Sequence, residues 1–198
     1  MSTTVPVGRA AHVRVGGGIL AAGAAIGVFS VGVLSRLAMH LLIRLNPEAR
    51  GLTTDDGFEM GRFTLSGSLN LAAVGMVLGL ASGIFYLALE RLRFGPGWFR
   101  TLSLGVGAGV AAATQVIHSD GVDFRVLEPL WVAVALFIAV PVIHVALLDV
   151  AATRLRAVGA APVAVATGTG AWVLRAGLLV LFVVAVASLA GDVRALTG

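Results

Sequence analysis

The chain has 198 residues, of which 58% are apolar and 12% are charged, and its mean hydropathy is +0.99. Soluble domains are roughly half apolar and about a quarter charged, so this composition excludes an ordinary soluble fold. The sequence has no cysteine, which excludes disulfides, thiolate metal sites and cysteine nucleophiles. The net charge of +4 is typical of basic loops beside a membrane, and we expect a lipid bilayer rather than nucleic acid as the partner.

Five uncharged apolar runs approach the roughly 20 residues that a helix needs to cross a hydrocarbon core of about 30 Å. They predict an all-α membrane protein, a single domain over residues 1–198 that forms a bundle of five transmembrane helices. The predicted spans are 15–43, 65–89, 102–117, 129–148 and 163–190. The first run is about twice as long as the apolar part of a signal peptide, and we expect an uncleaved anchor.

The arginines between the spans predict the orientation of the bundle. More of them lie in the segments on the side of the N-terminus than on the opposite side, and cytoplasmic loops are enriched in basic residues. We therefore expect a cytoplasmic N-terminus and an extracytoplasmic C-terminus. Two structured acidic loops, around residues 54–60 and 119–124, then lie on the extracytoplasmic side.

Small residues recur every four positions in three of the spans. The stripes are Gly23 and Gly27 in the first, Gly75, Gly79 and Gly83 in the second, and Gly105, Gly109 and Ala113 in the third. Residues four apart share a helix face, and small residues let two backbones approach closely in lipid. We expect close helix contacts, either within one chain or in a homo-oligomer. The alternative is that the stripes reflect only a glycine-rich composition.

A polar stripe lies toward the end of the first span, where Arg36, His40 and Arg44 follow one another at intervals of four. These residues share one helix face, and charges at membrane depth are expected to face protein. One interpretation is a salt-bridge network with the acidic loops. The other is a site in which the arginines bind an anionic lipid headgroup or a carboxylate.

The two acidic loops share a pattern of Asp-Gly, one further residue and an acidic residue. If the loops meet, Asp56, Glu59, Asp120 and Asp123 bring four carboxylates together, and oxygen ligands of this kind suit calcium, magnesium or manganese. The alternative is that Asp-Gly only forms turns and that aspartate only caps helices. The repetition is also typical of a duplicated helical hairpin.

Three further polar residues lie toward the inner ends of the fourth and fifth spans. We expect structural roles for His144, Asp149 and Arg175. An Asp149–Arg175 ion pair between helices would reduce the cost of burying either charge, whereas Arg175 alone would reach toward the headgroups. His144 is interpreted as hydrogen-bonded to a neighbour, with a proton relay or a haem ligand as alternatives. We expect no haem and no other cofactor, apart from the divalent cation.

Several segments of the loops carry a resemblance. They are Leu45-Asn46-Pro47, Asp55-Asp56-Gly57-Phe58, Met60-Gly61-Arg62-Phe63-Thr64, His118-Ser119-Asp120-Gly121-Val122-Asp123-Phe124 and Glu128-Pro129, with Gly51. In these segments the chain resembles small multipass integral membrane proteins of actinobacteria that have no assigned function. The resemblance covers most of the chain, and it implies a multipass topology in a bacterial plasma membrane but no activity.

Three functional hypotheses remain open. The first is a non-enzymatic membrane protein that binds a lipid, an ion or a protein partner at its outer face. The second is a membrane enzyme acting on a lipid or an apolar small molecule, with His118 or Asp120 as general base and Arg36 or Arg44 stabilising negative charge. The third is a small transporter or channel.

Overall fold

The computed structural model describes residues 7–53, 57, 59–62, 64–117, 123–159 and 163–197. In this part of the chain the regular structure is helical, with one isolated bridge between Thr53 and Glu59. The elements are α1 (Val7–Gly27), a π-helical segment (Val28–Leu34), α2 (Ser35–Leu45), a 3-10 turn (Pro47–Ala49), α3 (Leu65–Leu89), α4 (Gly97–Val116), α5 (Asp123–Val126), α6 (Leu130–Gly159) and α7 (Thr169–Thr197). The prediction of an all-α fold is confirmed.

In the described part of the chain, four helical segments are long and apolar enough to cross a membrane by their length and composition. They are Ala10–Leu45, Leu65–Leu89, Leu130–Gly159 and Thr169–Thr197. The first of them, called the first rod below, combines α1, the π segment and α2. The predicted third span is also helical, as α4, but Arg100 and several hydroxyl-bearing residues make it less apolar than the other four.

The long helices run between two ends of the bundle, each with its own apolar cluster. We name the ends after Asp149 and Asn46, which lie at opposite ends. At the Asp149 end, Val15, Ile19 and Tyr86 pack with Leu148 and Ala152. At the Asn46 end, the buried residues are Leu42, Ala113, Ile117, Phe124, Leu127, Ala133 and Leu189. Each cluster therefore draws on helices that are distant in the sequence.

Helix α4 extends from one end of the bundle to the other. Its Thr101 hydroxyl donates to Asp149 at 2.5 Å, while Ala113 belongs to the apolar cluster at the Asn46 end. Helix α7 runs the same way, because Arg175 contacts the chain after α3 and Leu189 lies in the cluster at the Asn46 end. Within the described residues, helices α4 and α7 therefore also extend between the two ends.

The glycine stripes of the first rod and α3 pack directly against each other. A Cβ added at Gly23 would lie 2.5 Å from the Gly79 carbonyl oxygen, and one added at Gly75 would lie 2.5 Å from the Gly27 carbonyl oxygen. A Cβ added at Gly109 of α4 would lie 3.0 Å from the carbonyl oxygen of Ile138 on α6. The predicted close contacts are confirmed within one chain, and a homo-oligomer remains a prediction.

Helix α3 begins where a threonine caps it. The Thr64 hydroxyl oxygen accepts a hydrogen bond from the Gly67 backbone N–H at 3.1 Å, which satisfies one of the donors that a helix N-terminus leaves without an intrahelical acceptor. The cap sets the point at which the loop after α2 turns into the bundle. Thr64 and Gly67 both line the cavity described next.

Candidate functional site

A cavity of about 320 Å³ lies at the Asn46 end, between α2, the loop before α3, the first turns of α3, and α6. Its polar lining includes Arg36, His40, Glu59, Arg62, Thr64 and Asn70. Its apolar lining includes Met39, Leu42, Leu71, Leu127 and Phe137. The cavity therefore presents charged groups and an apolar wall to the same occupant.

Helix α2 contributes the predicted polar stripe only in part. Arg36 and His40 are one turn apart and both line the cavity, with Arg36 half-buried and His40 exposed. Arg44, one turn further, is exposed and is not among the residues that line the cavity. Two of the three members of the stripe therefore line the cavity.

The loop before α3 adds an exposed ion pair to the cavity. Arg62 donates to Glu59 at 2.7 Å, and the two side chains are 68% and 47% exposed. The hydrogen bond and the charge of Glu59 hold the pKa of Arg62 above its ordinary value. A pair this exposed contributes little to stability because water and salt screen its charges, so an anion that enters the cavity can replace Glu59 as the partner of Arg62. With Arg36, the described charged groups are two guanidinium groups and one carboxylate.

Asn46 fixes the end of the first rod to the segment before α6. Its side-chain amide donates to the Leu42 carbonyl at 2.9 Å and to the Glu128 carbonyl at 2.8 Å, and its amide oxygen accepts from the Glu128 N–H at 2.8 Å. Asn46 is only 2% exposed. A buried amide with donors and acceptors satisfied in this way rigidifies the backbone around it, and it joins the flanks of the two predicted acidic loops.

Several predicted site residues lie outside the described residues. Asp56, His118 and Asp120 belong to this group, and for Asp123 only the backbone, at the start of α5, is described. Among the residues that the structure does describe, no three His, Asp or Glu side chains lie close enough together to hold a metal ion. The divalent cation and the general base therefore remain predictions.

The predicted Asp149–Arg175 pair is wrong, because a nearer arginine occupies the carboxylate. Asp149 accepts hydrogen bonds from the Tyr86 hydroxyl at 2.6 Å and from Arg93 at 2.6 Å, in addition to the Thr101 contact. The Arg93 guanidinium also lies 4.4 Å from the centre of the Tyr86 ring. Burial lowers the pKa of Arg93, but the hydrogen bonds and charges of Asp149 and Tyr86 together outweigh it, and the pKa is raised. Arg93 follows α3 directly, at the same end as Asp149.

Arg175 instead binds backbone oxygens of two loops. It donates to the Leu92 carbonyl at 2.9 Å and to the Ala166 carbonyl at 2.7 Å. The guanidinium lies 4.8 Å from the centre of the Trp172 ring and 5.2 Å from that of Phe94. These cation–π contacts stabilise the charge without an acidic partner, and the arginine holds the loop before α7 against the loop after α3.

The sequence did not identify the partners in two further polar contacts of the bundle. Glu90 and Arg156 form an ion pair between the ends of α3 and α6. His144 lies between the hydroxyls of Ser30 and Ser82, at 2.8 Å and 2.7 Å. The available signal was a serine within each of two apolar spans, since hydroxyls in such positions often bond across helices.

Comparison of the chain with protein-family models, with curated proteins and with solved structures finds no match. A function is therefore argued from the chemistry and geometry of the site, because fold class alone does not determine activity.

Proposed function

We propose that this membrane protein binds an anionic lipid in the cavity beside α2, with the acidic headgroup at Arg36 and Arg62 and the acyl chain along the apolar wall. The observation that carries the proposal is the combination of guanidinium groups with an apolar wall of Leu42, Leu71 and Phe137 in one cavity. An amphiphile matches both halves of this lining.

The position of Arg36 along the first rod supports a site at headgroup depth. Between Arg14 and Arg36 the sequence carries no charged residue, and a helix of this length rises about 31 Å. That rise equals the thickness of a hydrocarbon core. Arg36 then lies at the border of the hydrocarbon, and the cavity opens where lipid headgroups are found.

The chemistry of the lining favours an oxyanion over a neutral headgroup. Guanidinium groups bind phosphate and carboxylate oxygens with paired, charge-assisted hydrogen bonds. Arg62 is already paired with an oxyanion, the Glu59 carboxylate, at 2.7 Å. The exposed His40 adds a donor one turn from Arg36. A zwitterionic headgroup would bring a quaternary ammonium toward the same guanidinium groups.

The accompanying topology is a five-pass protein of a bacterial plasma membrane, with a cytoplasmic N-terminus and an extracytoplasmic C-terminus. The helices that extend between the Asp149 end and the Asn46 end support it, as does the excess of arginine on the N-terminal side. Labelling of cysteines introduced at each terminus, in intact cells and in permeabilised cells, tests it. Accessibility of both termini from the same side would contradict five crossings.

Lipid binding is tested on the full chain in mild detergent. Native mass spectrometry would follow titration with phosphatidylglycerol and, separately, with phosphatidylcholine of the same acyl chains. We expect preferential binding of phosphatidylglycerol and an affinity about tenfold lower in Arg36→Gln, since hydrogen bonds to charged groups contribute about 1.5–3 kcal/mol.

Arg44→Gln is the matched control, because Arg44 lies on the same stripe outside the cavity lining. It should retain the affinity of the original protein. Equal binding of the two lipids, or equal losses in the two variants, would contradict the proposed site.

A further inference from the structure

His144 lies within the bundle, where three helical segments meet. The residue is on α6 and is 8% exposed. Its Nδ1 is 2.8 Å from the hydroxyl of Ser30 in the π segment, and its Nε2 is 2.7 Å from the hydroxyl of Ser82 on α3. One imidazole therefore connects the first rod, α3 and α6 through two hydroxyl groups.

The serine contacts define the tautomer of the neutral ring. Ser82 donates its only hydroxyl proton to the Gly79 carbonyl at 2.8 Å, so its oxygen accepts from Nε2–H. Nδ1 is then the acceptor, and Ser30 donates to it, since the Gly27 carbonyl is more distant from that hydroxyl, at 3.4 Å. In this arrangement each polar hydrogen of the three side chains has an acceptor.

The same geometry also accommodates the protonated ring. A proton added to Nδ1 can be donated to the Ser30 oxygen, while the Ser30 hydroxyl turns toward the Gly27 carbonyl. Hydroxyl groups both donate and accept and rotate to suit their neighbours, so neither charge state leaves a buried donor without an acceptor.

The π segment gives this arrangement a local structural basis. Ser30 lies in Val28–Leu34, where its carbonyl accepts from the Ser35 N–H five residues later. Single-turn π segments within α-helices are found frequently at functional sites. Ser30 itself is fully buried, so the widened turn directs a hydroxyl into the bundle rather than toward lipid.

We propose that His144 is a proton-binding site inside the helical bundle, which takes a proton from water at Nδ1 and returns it, with Ser30 and Ser82 as hydrogen-bond partners in both states. On the elements packed around the cluster, the nearest charged or titratable residues along the sequence are Arg14 and Arg36 of the first rod, Tyr86 of α3, Arg100 of α4 and Asp149 of α6. Of these, Tyr86 and Asp149 are engaged with each other and with Arg93.

The test uses the full chain, labelled with ¹⁵N-histidine and reconstituted in lipid nanodiscs, over a series from about pH 4 to 9, which includes the range in which histidine titrates. The signal that is missing in His144→Gln identifies the His144 ring among the four histidines, and we expect this ring to change reversibly from the neutral Nε2–H pattern to the doubly protonated pattern. This transition should be absent in His144→Gln and present in His40→Gln. In Ser30→Ala its midpoint should move about one pH unit toward acid, because the charged ring loses a charge-assisted acceptor.

A His144 ring that stays neutral across the series while the protein remains helical would overturn the proposal. If His144→Gln does not fold, Ser82→Ala identifies the ring instead, since only the nitrogen bonded to Ser82 should change its resonance in the neutral state. A titrating ring that is unaffected by Ser82→Ala would also count against the proposal.

Discussion

The two ends of the bundle hold their charged groups in opposite ways. At the Asp149 end, the side chains of Arg93 and Asp149 are only 13% and 18% exposed and 2.6 Å apart, and the carboxylate has two hydroxyl partners in addition. At the Asn46 end, Arg62 and Glu59 form a pair that is mostly exposed at the edge of a cavity. A charge with satisfied, buried partners holds helices together, whereas a charge in an open pair can exchange its partner for a ligand.

Asp149→Asn is expected to have the largest effect on stability. The substitution leaves the buried Arg93 guanidinium without its counter-charge, and breaking a buried pair from one side costs about 3–5 kcal/mol. The measurement is the loss of helical circular dichroism on titration of the detergent-solubilised protein with sodium dodecyl sulfate. A change under about 1 kcal/mol would show that the Asp149 end is no more dependent on its charges than an exposed pair is.

Gly27→Ala tests the contact that extends between the two ends. The added methyl group would overlap the Gly75 carbonyl and the backbone of Gly79, and overpacking of this kind costs about 1–3 kcal/mol. Gly107→Ala is the control, because nothing lies within 4 Å of its added Cβ and alanine favours a helix by about 1 kcal/mol over glycine. The two variants should shift the unfolding midpoint in opposite directions. Equal shifts would indicate that the stripe does not set the distance between the first rod and α3.

Asn46→Ala should weaken the Asn46 end alone. Removal of the amide leaves the backbone N–H and carbonyl of Glu128 without their described partner, and each hydrogen bond lost contributes about 0.5–1.5 kcal/mol. Hydrogen exchange of the backbone around Glu128 should increase, while exchange around Asp149 stays unchanged. Asn70→Ala, at an exposed position on the cavity wall, is the matched control. An equal increase in hydrogen exchange around Glu128 and around Asp149 would show that the bundle opens as one unit.

Glu59→Gln is expected to have the smallest effect on stability, because its partner Arg62 is exposed and exposed pairs contribute little. If the cavity binds an anion, the same substitution should raise the affinity for phosphatidylglycerol by freeing Arg62 from its carboxylate partner. Native mass spectrometry at equal lipid concentrations measures this change. A large loss of stability would show that the exposed pair at the Asn46 end holds the bundle together as the buried pair at the Asp149 end does.

The helices were predictable because hydrophobic length and glycine spacing act locally. The predicted second span, 65–89, agrees with α3 at both ends, and the Gly-stripe contacts follow from the four-residue period. Boundaries near charged residues were less predictable. Helix α6 continues to Gly159, beyond the predicted limit of 148, because Asp149 and Arg156 find partners and do not end the helix.

The partners of the polar groups depended on tertiary structure. The sequence identified Arg36, His40 and Glu59 as site residues, and they line one cavity, since a stripe on α2 and a loop that returns beside it are close in sequence. It did not identify Arg93 as the partner of Asp149 or Ser30 and Ser82 as the partners of His144. These choices depend on the depth and rotation of separate helices, which composition and periodicity do not specify.

The π segment has one further consequence, for the direction in which the end of the first rod faces. In an uninterrupted α-helix, side chains nine positions apart point about 180° away from each other, yet Gly27 packs on α3 and Arg36 lines a cavity that the first turns of α3 help to enclose. The wider turn of Val28–Leu34 rotates the later side chains of the first rod around the helix axis relative to those before it. Deletion of a single residue such as Gly32 would leave Arg36 eight regular positions after Gly27, about 80° around the helix axis, so it should restore regular winding while the arginine still faces the cavity and the glycine stripes stay in contact.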